Sequence, residues 1–101
     1  MSQVIDHVGL KVSDFPRAKA FYTEALGLRE TRRARLTGDW IEAIVGLKGV
    51  EADVAFVQPP GGGPRIELIQ YHAPLGETFP AHSRPNTHGL RHIAFQIDNM
   101  A

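Results

Sequence analysis

Two histidines and one glutamate in this sequence have the side-chain types and the spacing expected of ligands for a divalent metal. His7 lies in the run VIDHVGLKV, Glu67 in PRIELIQY and His92 in GLRHIAFQI. Neutral imidazole nitrogens and carboxylate oxygens suit Zn, Ni, Mn, Co or Fe(II), and three such ligands leave positions open for water and substrate. These residue types therefore favour metal-assisted chemistry, with a divalent metal ion as the cofactor.

The three runs alternate in a way that predicts β-strands over Val4–Val12, Pro64–Tyr71 and Gly89–Ile97. Successive side chains of a strand point to opposite faces. The apolar positions that face away from the three candidate ligands are Val8, Leu10, Val12, Ile66, Leu68, Ile93, Phe95 and Ile97. One histidine or glutamate on a strand is usually a solvated surface group. Three with the same facing would converge if the strands curve into a cup, and this shared facing favours metal binding.

A helix is predicted between the first two strands, over Phe15–Leu26. Ser13 and Asp14 can cap its first turn, and Pro16 fits that turn because the missing N–H would be unpaired there anyway. Apolar residues then recur at helical spacing, which directs one face of the helix onto the sheet. Gly27 is a suitable residue to end it.

Further strands are predicted over Leu28–Leu36 and Ala52–Gln58. The segment Trp40–Leu47 between them suits either a short helix or an extended chain. The Pro- and Gly-rich loop Pro59–Pro64 predicts that the third strand pairs with the next one, Arg65–Tyr71, as a hairpin.

The order of these elements predicts an α+β fold. Residues 1–71 form a βαβββ module, residues 72–88 form a polar, proline-rich linker, and residues 89–101 begin a second, incomplete module. The third candidate ligand therefore belongs to the second module, while the first two belong to the first.

Composition excludes several classes of function. The chain has 101 residues, 43% of them hydrophobic and 22% charged, with a formal net charge of zero and no cysteine. These values predict one globular domain without a charge field for nucleic acid or a disulfide framework. No apolar run approaches the roughly 20 residues of a membrane span, and no signal-peptide pattern opens the chain. We expect a cytoplasmic protein that acts on a small molecule, with neither nucleic acid nor membrane as a partner.

Three segments of the sequence also resemble a known superfamily. The segment HVGLKVSDFPRAKAFYTEALGL is similar to the opening strand and helix of the vicinal oxygen chelate superfamily, RIELIQY to the last strand of its first module, and GLRHIAFQIDNM to the first strand of its second module. The superfamily includes glyoxalase I, methylmalonyl-CoA epimerase, extradiol dioxygenases, and bleomycin- and fosfomycin-resistance proteins. The resemblance implies two βαβββ modules that close a curved sheet around a metal.

The resemblance implies a function as well. A glutamate on the last strand of the first module, as Glu67 is, resembles glyoxalase I, whereas epimerases of the superfamily tend to carry glutamine there. This implies a lyase or isomerase that moves a proton next to a carbonyl through a metal-stabilised enediolate, with Glu67 as both a metal ligand and the candidate base. Two alternatives stay open, an extradiol-type Fe(II) dioxygenase and a metal-free drug-binding resistance protein.

Two further expectations follow from the resemblance. Lys11 shares the predicted face of His7 and is the candidate anchor for an anionic part of the substrate, although glyoxalase I is expected to carry arginine near this position. The sequence lacks the second helix, the last three strands and the fourth ligand of a complete superfamily member. Asp98–Ala101 would begin that second helix, so the chain is expected either to belong to a longer protein or to complete its site in a homodimer.

Overall fold

Four strands form one sheet in the computed structural model, which describes residues 3–78 and 83–96. The strands are β1 (His7–Lys11), β2 (Arg29–Thr37), β3 (Glu51–Gln58) and β4 (Arg65–Ala73). They are arranged in the order β1-β4-β3-β2, with β1 parallel to β4 and the other two pairs antiparallel. The predicted α+β fold and its βαβββ order are confirmed.

The predicted first helix forms and ends one residue earlier than expected. It consists of α1 (Phe15–Ala20) and a π-helical turn over Phe21–Ala25. The carboxylate of Asp14 accepts a hydrogen bond from the backbone N–H of Arg17 at 3.1 Å, and Pro16 occupies the first turn. The local capping signals in the sequence therefore set where this helix begins.

Helix α1 covers one face of the sheet, here called the α1 face. Its buried core consists of Phe15, Leu28, Ala55, Val57, Ile66 and Leu68. Gln70 on β4 ties the start of the helix to this face, because its side-chain amide accepts from the N–H of Phe15 at 2.8 Å and donates to the carbonyl of Ser13 at 3.0 Å. Polar as well as apolar contacts thus hold the start of the helix against strand β4.

The opposite face of the sheet, here called the α2 face, is covered over part of its area. Helix α2 (Asp39–Val45) resolves the ambiguous segment as helical; it follows Gly38 and ends at Gly46, whose φ angles of 102° and 74° suit glycine. The second buried core consists of Ile41, Val50, Ala52, Val54 and Ile69. The rest of the α2 face, beside the start of β1, carries polar side chains.

The strand predicted over Gly89–Ile97 is not formed in its described part, since residues 89–96 contain no strand. A strand needs a neighbour that satisfies its backbone N–H and C=O groups, and within residues 3–78 and 83–96 the four-stranded sheet gives this segment no partner. Ile97 and the expected helix start at Asp98–Ala101 lie outside the described residues. Strand β4 also extends two residues into the expected linker. The division into two modules stays a prediction.

Among residues 3–78 and 83–96, no helix is both long enough and apolar enough to cross a membrane.

Candidate functional site

His7 and Glu67 lie on the α2 face, on neighbouring strands. The parallel register of β1 and β4 pairs His7 with Arg65 and Gly9 with Glu67. A Cβ atom built on Gly9 would meet the carboxylate Oε1 of Glu67 and the ammonium Nζ of Lys11, each at 3.4 Å. Because Gly9 has no side chain, the Glu67 carboxylate and the Lys11 ammonium group can lie close to its backbone on this face of the sheet.

Asp6 holds the imidazole of His7 from one side. Its carboxylate Oδ2 lies 2.7 Å from His7 Nδ1 and also accepts a hydrogen bond from the guanidinium of Arg65 at 2.6 Å. The backbone carbonyl of Asp6 accepts from the N–H of Arg65 at 3.1 Å. Asp6 is therefore fixed by both its side chain and its backbone, even though 70% of its side chain is exposed.

Phe56 supports the same group of residues from the sheet below. The His7 imidazole and the Phe56 ring lie nearly perpendicular to each other, at 87°, with their centroids 5.2 Å apart, and the guanidinium of Arg65 lies 4.4 Å from the centre of the Phe56 ring. Such edge-to-face and cation–π contacts orient both side chains over the aromatic ring. Since Phe56 is paired with Glu67 across β3 and β4, these contacts keep the imidazole next to the carboxylate-bearing strand.

Electrostatics keeps Asp6 ionised. The hydrogen bond from His7, and then that from Arg65, lower the pKa of the Asp6 carboxyl below its ordinary value, against a small opposing effect of burial. An ionised carboxylate can only accept hydrogen bonds. The contact with Asp6 engages Nδ1 of His7, so Nε2 is the ring nitrogen left for a metal or a substrate proton.

His92 is not brought into this group. It is exposed, and it lines an open groove of about 1320 Å³ along the outer edge of β1 that Gly9 and Lys11 also line. No set of three or more His, Asp or Glu side chains that could hold a metal occurs within residues 3–78 and 83–96. His7 and Glu67 fit a divalent ion by the chemistry and facing of their side chains, and the described residues do not complete the set of ligands.

Comparison with known proteins identifies the family. The sequence matches the glyoxalase/bleomycin resistance protein/dioxygenase superfamily over residues 6–101. The chain belongs to this superfamily. The fold is similar to the crystal structure of a glyoxalase family protein from Bacillus cereus, with a TM-score of 0.78 and 27% sequence identity. That match covers 89% of this chain and 60% of the other, so this chain spans well under the full length of that relative. No curated protein matches the sequence.

A second cluster of histidine, aspartate and arginine lies on the α1 face, at the far end of the sheet of this superfamily member. His72 Nε2 lies 2.7 Å from Asp53 Oδ2, and the Arg35 guanidinium approaches the same carboxylate at 3.3 Å and Glu51 at 3.5 Å. The hydrogen bond from His72, followed by that from Arg35, lowers the pKa of the Asp53 carboxyl despite partial burial. Here the side chains pair with one another along exposed strand positions.

The arginines of β2 also have identifiable partners. Arg33 pairs with Glu30 at 3.0 Å, and Lys19 of α1 reaches the same carboxylate at 3.2 Å. Partial burial would raise the pKa of the Glu30 carboxyl, but the hydrogen bonds from Arg33 and Lys19 lower it overall. These contacts place charge on the edge strand β2, where it discourages pairing with other chains.

Sequence analysis missed Asp6 and Arg65 as parts of the candidate site. The adjacency of Asp6 to His7 is a signal that could have been read, because histidines that bind metals usually donate their other N–H to a carboxylate or carbonyl. The role of Arg65 was not readable, since it depends on the parallel register between β1 and β4, which join residues 59 positions apart.

Proposed function

We propose that this chain supplies His7 and Glu67 to a divalent-metal centre of a glyoxalase- or epimerase-like enzyme, a lyase or isomerase that acts on a carbonyl substrate. The observation that carries the proposal is the position of these two side chains on one face of adjacent strands, with Asp6 bonded to Nδ1 of His7. When bound, a divalent ion would polarise the substrate carbonyl and make the neighbouring proton more acidic.

The chain's own residues have distinct roles in this proposal. Glu67 is the candidate base, because its carboxylate lies close to Gly9, and Gly9 lines the groove beside β1 through which a substrate would approach. Lys11 also lies close to Gly9 and lines the same groove, and it would bind a negatively charged or carbonyl oxygen of the substrate. A substrate that spans the two would present its reacting carbon to Glu67.

The remaining ligands must come from outside the pair. His92 lines the groove beside β1, and His92 of this chain or of a second copy is the candidate for a further nitrogen donor. We propose a homodimer as the assembled form, because β1 has a strand neighbour on one side within the described sheet and an open strand edge favours association.

Metal loading tests the proposal directly. The protein would be incubated with Zn²⁺, Ni²⁺ or Mn²⁺, desalted and analysed for bound metal, with affinity measured by calorimetry. We expect Glu67→Gln to weaken binding at least tenfold, because a charged ligand is lost. Glu51→Gln, on the same sheet but beside Arg35, is the matched control and should bind as the wild type does.

Activity would be followed as exchange of the proton next to the carbonyl in deuterated water, over a panel of small hydroxy-carbonyl compounds. The proposal predicts metal-dependent exchange that Glu67→Gln abolishes. Ring cleavage of a catechol by the Fe(II)-loaded protein, without such exchange, would instead identify a dioxygenase.

A metal-free binding protein is the second candidate, favoured by one observation. The groove beside β1 is lined mainly by apolar side chains, among them Phe21, Tyr22, Leu26, Leu47 and Leu90, as a site for a drug-sized ligand would be. Saturable binding of a bleomycin-type compound by protein that takes up no metal under any loading condition would support this candidate and overturn the first.

A further inference from the structure

Asp6 has more contacts than an exposed residue before a strand needs. Its carboxylate bonds both His7 and Arg65, its backbone carbonyl bonds the N–H of Arg65, and Arg65 in turn lies over the ring of Phe56. Arg65 is the more enclosed partner, with 28% of its side chain exposed. Asp6, which contacts His7, is thus itself held by Arg65 through both its side chain and its backbone.

We propose that Asp6 is a positioning residue that fixes His7 as the Nδ1–H tautomer, so that Nε2 is the atom presented to a metal or to a substrate proton. The use of Nε2 by a metal or a substrate proton rests on the proposed function, whereas the tautomer of His7 is a property of the metal-free chain.

The geometry gives Asp6 two separate effects on His7. The 2.7 Å contact places the proton on Nδ1, because the carboxylate is an acceptor only. The same contact, together with the edge-to-face packing on Phe56, restricts rotation of the ring. An imidazole that is both oriented and in the correct tautomer binds a metal without first reorganising, and carboxylate partners of this kind typically affect metal affinity by about 10–100-fold.

Arg65 supports the contact between Asp6 and His7, which their adjacency in the sequence alone would not fix. A carboxylate one residue from a histidine could rotate into solvent, but Asp6 accepts hydrogen bonds from both the guanidinium and the backbone N–H of Arg65, and these contacts hold Oδ2 beside Nδ1. The parallel pairing of His7 with Arg65 supplies this link. The fold therefore places Arg65, which holds Asp6, on strand β4 directly beside His7, which Asp6 orients.

The test is the tautomer of His7 in metal-free protein, read from nitrogen-15 NMR spectra of the imidazole at pH 8, well above the usual imidazole pKa of about 6.5. The wild type should show His7 with Nδ1 protonated and Nε2 unprotonated. Asp6→Ala should give a mixture of both tautomers, whereas Asp6→Asn, which keeps an acceptor oxygen, should retain much of the wild-type pattern. Asp53→Asn is the matched control; it removes the charge next to His72 and should leave the His7 spectrum unchanged.

The second readout is affinity for Ni²⁺ alone. We expect Asp6→Ala to weaken it by about 10–100-fold, Asp6→Asn by less, and Asp53→Asn not at all. A wild-type His7 protonated on Nε2, or an Asp6→Ala protein with unchanged tautomer and unchanged affinity, would overturn the inference. If the wild type binds no Ni²⁺ while Asp6 still sets the tautomer, the metal function fails and the positioning role stands.

Discussion

The protein contains two clusters of the same three residue types, one on each face of its sheet. On the α2 face Asp6 bonds Nδ1 of His7, and on the α1 face Asp53 bonds Nε2 of His72, with an arginine beside each aspartate. The difference lies in which nitrogen is engaged. The contact with Asp6 leaves Nε2 of His7 outside the pair, whereas His72 uses its Nε2 in the contact with Asp53.

The surroundings of the two clusters differ as well. His7 lies on the partly uncovered α2 face together with Glu67 and Lys11, whose charged groups lie close to Gly9. Asp53 is paired with Arg35 across β2 and β3 and lies near Glu51. Residue type alone therefore does not separate a candidate site from a surface ion pair, whereas the ring nitrogen that the aspartate engages does distinguish the two clusters.

The largest expected effect is the loss of Zn²⁺ affinity on replacing His7, and the same replacement at His72 is the comparison. His7→Ala should weaken Zn²⁺ binding by more than about 100-fold, since loss of a ligand costs more than loss of its hydrogen-bond partner. His72→Ala should leave Zn²⁺ affinity unchanged. Calorimetry on both variants makes the comparison, and equal losses in the two would break the distinction between the clusters.

A second comparison concerns the two cores behind the clusters. Ile66 packs under α1 and Ile69 under α2, and each is 4% exposed. Replacement of either by Ala should lower the free energy of unfolding by about 2–5 kcal/mol, through lost burial and the cavity left behind. Urea denaturation measures both. A loss below about 1 kcal/mol for Ile69→Ala alone would mean that the α2 face is not a core in solution.

The smallest effect is expected from acid, at the Asp53 cluster. Because the folded pKa of Asp53 lies below the ordinary value of 3.8, its pairing with His72 and Arg35 adds stability above pH 3.8, and this stability is lost as the pH falls through the folded pKa. Asp53→Asn should therefore lower stability by at most about 1 kcal/mol at pH 6, and the difference from the wild type should vanish in strong acid. Unfolding curves at both pH values test this; a difference that grows in acid would contradict it.

The sequence predicted the elements whose signals are local. Asp14 and Pro16 mark the start of α1, and alternation marks β1, β3 and β4, so their order and the shared facing of His7 and Glu67 were readable. The sequence wrongly predicted a strand over Gly89–Ile97, of which residues 89–96 are described and form none. Alternation shows that a segment could pair, but it does not show whether a partner strand is present. The contact between Asp6 and Arg65 depends on the β1–β4 register, which no local pattern encodes.

Paramagnetic broadening by Mn²⁺ is the most direct test of the central account, in which the α2 face carries the metal-binding histidine and glutamate. Small amounts of Mn²⁺ would be added to labelled protein, and the side-chain and backbone signals followed by NMR. The account predicts that signals of His7, Gly9 and Glu67 broaden first, while those of His72 and Asp53 persist. Broadening that begins at His72 and Asp53, or that spreads evenly over the exposed carboxylates, would contradict it.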